Sequence, residues 1–217
     1  MTYYYPRTTV YCCLFLVLFI FSSKLNAQVP CQAIGGIITV TNTNDAGLGS
    51  LREAINCANQ SIGSQKIEFN IAGNSPHIIY VGSSTGQPLP SLTDDGTVID
   101  GSTQSGFFGD PLIILDGSLT AWDGPHNALY LQGDYCEIYG LTIRYFPDDA
   151  IDLWDADYAR IGAPGKGNVI YFNGIYQDVF PGFSGLWNGC GIVVRNTSDF
   201  CRIQGNTIGT DFYQTIN

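Results

Sequence analysis

The stretch Val40-Thr-Asn-Thr-Asn-Asp-Ala-Gly-Leu-Gly-Ser-Leu-Arg-Glu-Ala-Ile55 decides how the rest of the chain is read. Ile37 to Thr41 reads as a strand, a polar Gly-rich turn follows, and a helix opens at Ser50. Ser50 and Glu53 have the S-x-x-E spacing of a capping box, in which each side chain satisfies an orphan backbone donor of the first turn. Leu51, Ala54, Ile55 and Ala58 then fall on one face at helical spacing, so the helix is expected to run from Leu51 to Asn59. It is one short amphipathic helix in a chain that otherwise reads as strands and turns. A lone helix at the start of such an array is expected to cover the open end of a stacked core.

Past Asn59, short apolar segments recur at 67–71, 78–82, 97–100, 112–116, 128–132, 137–143, 150–154, 158–162, 168–172, 190–195 and 201–208, punctuated by Gly, Asn and Asp. Many alternate, as in Ile67-Glu-Phe-Asn-Ile71 and Ala128-Leu-Tyr-Leu-Gln132, the period of a strand with one buried face. Two passages match position by position: Asp134-Tyr-Cys-Glu-Ile-Tyr-Gly-Leu-Thr-Ile143 and Asp199-Phe-Cys-Arg-Ile-Gln-Gly-Asn-Thr-Ile208. Ahead of them, Ala128-Leu-Tyr-Leu matches Gly191-Ile-Val-Val. The offset of about 65 residues corresponds to about three coils of a solenoid with roughly 20–25 residues each. The fold class expected is therefore all-β. Ile138, Leu141, Ile143, Ile151, Leu153, Ile192, Val194, Ile203 and Ile208 are expected to point inward in stacked columns. Asn168, Asn173 and Asn206 are expected at turns, where Asn tolerates left-handed backbone and can stack in ladders.

The opening segment also resembles the N-terminal SLREAI-type (CSLREA-like) module of secreted bacterial proteins built as right-handed parallel β-helices. Ile67-Glu-Phe-Asn-Ile71, Pro76-His-Ile-Ile79, Leu89-Pro-Ser-Leu92, Thr97-Val-Ile-Asp-Gly101 and Pro111-Leu-Ile-Ile-Leu-Asp-Gly117 follow the order used in that family. The resemblance implies a right-handed parallel β-helix with a short N-terminal capping helix, and a secreted or cell-surface setting. It implies three parts: a leader over 1–27, a cap strand and helix over 28–60, and coils over 61–217. The last strand-like segment is followed closely by Thr215-Ile-Asn217 without an amphipathic closing element. Further C-terminal coils or domains, or closure by association, are expected on that ground.

The leader has Arg7, an apolar run from Val10 to Phe21 too short to span a bilayer comfortably, and a polar stretch ending at Ala27. It predicts export and no membrane span after cleavage. It holds two of the nine basic residues and no acid, so seven bases face nineteen acids and the mature charge is −12. An acidic chain without a basic footprint is not read as a nucleic-acid binder. Cys12 and Cys13 leave with the leader, while Cys31, Cys57, Cys136, Cys190 and Cys201 remain. Export permits disulfides. Cys31 with Cys57 and Cys190 with Cys201 are candidate pairs, with connectivity open. No C-x-x-C pair or His cluster suggests zinc, and His77 and His126 read as loop residues.

Two segments carry candidate chemistry. In Pro147-Asp-Asp-Ala-Ile-Asp-Leu-Trp-Asp-Ala-Asp157, Asp148, Asp149, Asp152, Asp155 and Asp157 form a candidate Ca²⁺ site, since Ca²⁺ takes six to eight oxygen ligands. Asp148, Asp149 and Asp152 are also candidates for the carboxylate pair of a glycoside hydrolase. Asp148-Asp-Ala-Ile151 looks like the paired-Asp segment of polygalacturonases, but their Gly-His-Gly and Arg-Ile-Lys segments are not in this chain. Arg144 and Arg160 flank the acids and read as their ion-pair partners. The second segment is Gly174 to Gly189, whose Tyr176, Phe180, Phe183 and Trp187 join Trp122, Tyr130 and Trp154 as aromatics suited to stacking on sugar rings. The reading is a binding, adhesion or scaffolding protein directed at glycans. The alternatives are a polysaccharide lyase or glycoside hydrolase acting on acidic polysaccharide, and a structural spacer of a larger surface protein.

Overall fold

This computed structural model describes residue 33 and residues 35–121, 126–174 and 189–209, all within the compact unit Cys31–Asn217. Strand β1 (Ile37–Val40) leads into α1 (Leu51–Gln60), then β2 (Lys66–Phe69), β3 (His77–Tyr80), β4 (Val98–Asp100) and β5 (Ile113–Asp116). Next come β6 (Leu129–Leu131), β7 (Glu137–Tyr139), β8 (Leu141–Arg144), β9 (Ile151–Trp154), β10 (Arg160–Ile161) and β11 (Val169–Tyr171). Last are β12 (Ile192–Arg195), β13 (Arg202–Ile203) and β14 (Thr207–Ile208). The described residues are all-β apart from α1 and one 3-10 turn, Gly101–Thr103. Among the described residues no helix is long and apolar enough to cross a membrane.

Among the described residues every strand pairing is parallel. The strands form three sheets: β1-β2-β4-β7-β10-β13, β14-β11-β8-β5-β3 and β12-β9-β6. From β6 onward the chain visits the third, first and second sheet in turn, so each strand from β7 on lies beside the one three places earlier. The registers line up one isoleucine from each strand of the first sheet: Ile38, Ile67, Ile99, Ile138, Ile161 and Ile203. The second sheet stacks Ile79, Leu115, Ile143, Ile170 and Ile208 in the same way. All but the last member of each column are buried. Each such aliphatic side chain contributes about 1.5–3 kcal/mol by leaving water. This is why short strands with few intrastrand contacts hold together.

The helix starts where the capping box places it and runs to Gln60. Ser50 Oγ accepts from Glu53 N at 3.2 Å, while Glu53 Oε2 reaches back to Gly49 N at 2.6 Å. Leu51, Ala54, Ile55, Cys57 and Ala58 are buried, and the helix packs on β1 and β2.

Three expectations are corrected. Cys136 and Cys201 occupy equivalent places, but two steps apart rather than three, with Ala159 between them. The steps are unequal: 23 residues from Asp134 to Asp157 and 42 from Asp157 to Asp199, because the longer one holds the 174–189 segment. Val194, Ile203 and Ile208 take their expected places in the stacked columns, and they are 46%, 44% and 49% exposed there because β12, β13 and β14 are the last described strands of their sheets. Glycines apart, the left-handed positions among the described residues belong to Tyr135, Tyr145, Tyr158, Phe172 and Phe200, together with Asp155 and Asn196, and not to Asn168, Asn173 or Asn206. Those asparagines bond between neighbouring strands, and Asn168 and Asn206 stack in the expected ladder. Asn168 Oδ1 accepts from Leu141 N, and Asn168 Nδ2 donates to Ile138 O and to Asn206 Oδ1. His77, read as a loop residue, opens β3 and is buried against Gln104.

The cysteines divide as their sheets dictate. Cys57 is disulfide-bonded, and its expected partner Cys31 lies outside the described residues. Cys190 and Cys201 are not joined, since Cys201 keeps a free thiol that donates to Ala156 O at 3.2 Å. Cys190 precedes β12 in the third sheet and Cys201 precedes β13 in the first, so the two belong to different faces. Burial pushes the Cys136 thiol up to about 12, so it is an unreactive core group.

Candidate binding face on the third sheet

Strands β6 and β9 send alternate side chains to opposite faces. Leu129, Leu131, Ile151 and Leu153 are buried inward, and the intervening positions face out. Register places Tyr130, Asp152 and Val193 in one outward row and sets Trp154 beside Arg195 in the next. The Tyr130 and Trp154 rings lie 6.4 Å apart at 58°, and both side chains are partly exposed.

Asn127, just before β6, ties this face together. Its Oδ1 accepts from Asp149 N at 3.1 Å and its Nδ2 donates to Asp152 Oδ2 at 3.1 Å. Asp149 Oδ1 accepts from Cys190 N at 2.6 Å, and its Oδ2 takes a hydrogen bond from Arg195 Nη2. Arg195 Nε lies 3.2 Å from Asp152 Oδ1. Gly189 packs so closely on Asp148 O that a Cβ there would lie 2.4 Å from it, which only glycine permits. Asp148, Asp149 and Asp152 are all buried. Burial, reinforced by the neighbouring Asp149 charge, holds the Asp148 carboxyl above the usual carboxylate range. Burial also raises Asp152, against the opposing pull of Arg195.

The five aspartates therefore do not act as one group. Asp155 sits at a left-handed turn and accepts from Thr197 N and Oγ1 and from Asn196 Nδ2, which hold its carboxyl below the usual range. Asp157 belongs to a separate ladder on the first sheet's flank. There Asp95 Oδ1 accepts from Asp134 N, Asp134 Oδ1 from Asp157 N, and Asp157 Oδ1 from Asp199 N. Among the described residues no three His, Cys, Asp or Glu side chains converge as metal ligands. The aspartates expected as a Ca²⁺ site, Asp148, Asp149, Asp152, Asp155 and Asp157, are thus spread over separate places, and the Arg195 guanidinium lies beside Asp149 and Asp152.

Arg144 and Arg160 are also reassigned. Arg144 Nε pairs with Asp116 at 2.8 Å, and Arg160 Nη1 pairs with Glu137 at 3.2 Å, each on its own sheet. The cation of the acidic cluster is Arg195, which the sequence reading did not single out. The signal was present: Ala150-Ile-Asp-Leu-Trp154 aligns with Gly191-Ile-Val-Val-Arg195 as closely as the matched pair at 128 and 191 does. Of the aromatics proposed for stacking, Trp154 and Tyr130 lie on this face. Trp122, Tyr176, Phe180, Phe183 and Trp187 lie outside the described residues.

The face thus offers a tilted aromatic pair beside fixed carboxylate and amide groups. Rings meet the apolar faces of sugars, and carboxylates and amides accept and donate to hydroxyls. No family model, curated protein or solved structure matches the chain.

Proposed function

We propose that this chain is an exported, right-handed parallel β-helix of the SLREAI-capped type whose third sheet binds glycans at a surface or in the extracellular space. The architecture is supported by the cyclic visiting of three parallel sheets and by the isoleucine column that runs across the first of them. Export is supported by the Val10 to Phe21 leader. The observation that carries the binding role is the Tyr130–Trp154 pair set against Asn127, Asp152 and Arg195 on one outward face.

Binding is favoured over hydrolysis because the carboxylates are already engaged. Both oxygens of Asp149 take hydrogen bonds, and Asp152 is held between Asn127 and Arg195. Within this cluster Asp148, with its raised carboxyl, is the group suited to general-acid work. The test is retention on a panel of immobilised neutral, amino and uronic glycans. Trp154→Ala and Tyr130→Ala should each weaken binding about tenfold or more, the effect of removing an aromatic anchor. Equal retention of wild type and both variants sinks the reading. Release of reducing ends or unsaturated products would favour the hydrolase or lyase instead.

A further inference from the structure

The third sheet carries an excess of acid. Asp148, Asp149, Asp152 and Asp155 lie on β9 or beside it, against the guanidinium of Arg195. Other described cations pair elsewhere: Lys66 and Lys166 with Asp100 and Arg160 with Glu137 on the first sheet, and Arg144 with Asp116 on the second. The excess reaches the aromatic pair. Burial first, and then the charges of Asp152 and Asp155 against that of Arg195, hold the Tyr130 hydroxyl above the usual phenol range.

Within that excess one acceptor is unfilled. Asp152 is 4% exposed and sits in the outward row between Tyr130 and Val193. Its Oδ2 accepts from Asn127, but its Oδ1 accepts no hydrogen bond among the described residues. Arg195 Nε lies 3.2 Å from that oxygen with its N–H turned aside, so the two are held by charge alone. A buried acceptor without a donor is costly, and a cationic donor that reaches it makes a strong bond.

We propose that the glycan taken by this face is an amino glycan, a polymer of 2-amino sugars in the ammonium form. The inference rests on the glycan reading of the third sheet and narrows it. Sugar rings lie on Tyr130 and Trp154, and a ring ammonium takes the place over Asp152 Oδ1 that Arg195 Nε holds without it. Arg195 keeps its bond to Asp149 Oδ2, so neither carboxylate is left without a cation. A uronate brings a like charge to the same row, and its nearest counter-ion, Arg195, is already shared by Asp149 and Asp152.

The test is calorimetric titration of the whole chain with three soluble tetramers: β-1,4-linked glucosamine, its fully N-acetylated form and galacturonate. The ammonium form should bind about tenfold tighter than the N-acetylated one, the gain from two unit charges near a protein surface. Galacturonate should bind weakest, and the preference should shrink with salt. Asp155→Asn removes one exposed charge and should weaken the ammonium form about threefold. Arg195→Gln, checked by circular dichroism, removes the competing cation and should tighten it; loss of binding in a folded Arg195→Gln variant means that the arginine receives an anion, and overturns the proposal. N-acetylated or galacturonate tetramers that bind as well as the ammonium form overturn it too, while leaving the glycan reading standing. A preference for the ammonium form that Trp154→Ala leaves at full affinity is bare charge attraction and also overturns it. No binding of any tetramer sinks the glycan reading and this inference with it.

Discussion

Asp45 and Arg52 lock the turn before α1 to a loop more than thirty residues further on. Arg52 Nη2 donates to Asp45 Oδ1 at 2.7 Å, while its Nη1 and Nη2 also reach Pro88 O and Gln87 O. Asp45 in turn accepts from Gly82 N and from the backbone and hydroxyl groups of Ser84 and Thr85. The acid and base named in the sequence only as turn and helix residues therefore fasten the cap to the segment that follows β3.

Asp45→Asn should be among the most costly single changes outside the apolar core. It leaves Arg52 without its partner and turns an amide NH₂ toward donors, a loss of about 3–5 kcal/mol for a broken buried pair. Burial alone would raise the Asp45 carboxyl, but the bonds from Arg52, Gly82, Ser84 and Thr85 hold it far below the usual value. A carboxyl depressed in the fold stabilises fully above its unfolded pKa of about 3.9, and that stabilisation is lost as pH falls toward the folded value. Thermal unfolding of wild type and variant should therefore converge below about pH 4. A constant gap down to pH 2 would place the effect in packing rather than charge.

Ser50→Ala should cost about 1 kcal/mol, since it removes the acceptor of Glu53 N. Glu53→Gln keeps the contact to Gly49 N but loses its charge, so it should cost less. Denaturant midpoints at equal slope test the order; a Ser50→Ala variant as stable as wild type would mean that the cap is held by packing alone.

The sheets and the helix were legible because their signals are local. Ile67-Glu-Phe-Asn-Ile71 alternates, and β2 buries Ile67 and Phe69. The acidic site was legible only in part. Asp149 and Asp152 meet Arg195 across 46 and 43 positions, and that distance depends on the length of the excursion between β11 and β12. A strand pattern fixes which way a side chain points but not how many residues separate one strand from its neighbour. The even division of the 65-residue offset failed for the same reason.

Asp148→Asn should stabilise the fold near neutral pH. The Asp148 carboxyl is raised by burial and by Asp149, so the unfolded chain is the more ionised state and the charge opposes folding. That opposition is full above the raised folded pKa and fades as pH falls toward about 3.9, where wild type and variant should melt together. A variant less stable than wild type at pH 7 would show instead that Asp148 makes an attractive contact stronger than its desolvation.

Tyr158 puts the cost of backbone conformation against the gain from ring stacking. Its φ is 58°, the left-handed region, where a non-glycine residue costs about 1–2 kcal/mol. Its ring lies between Tyr135 at 4.8 Å, nearly parallel, and Phe200 at 5.0 Å. Two such contacts contribute about 0.5–1.5 kcal/mol each beyond burial, which offsets the backbone and explains how aromatics hold positions where asparagine was expected. Tyr158→Ala loses both stacks and keeps the strained φ, whereas Tyr158→Gly loses the stacks but relaxes the backbone. Glycine should therefore be the milder substitution by about 1 kcal/mol, the reverse of the usual order at a strand or helix position. Tyr158→Phe, which keeps both the ring and the strain, should match wild type. Unfolding midpoints of the three variants decide it: alanine equal to or better than glycine would mean that the left-handed turn costs nothing here, and that the stack is not what selects the aromatic.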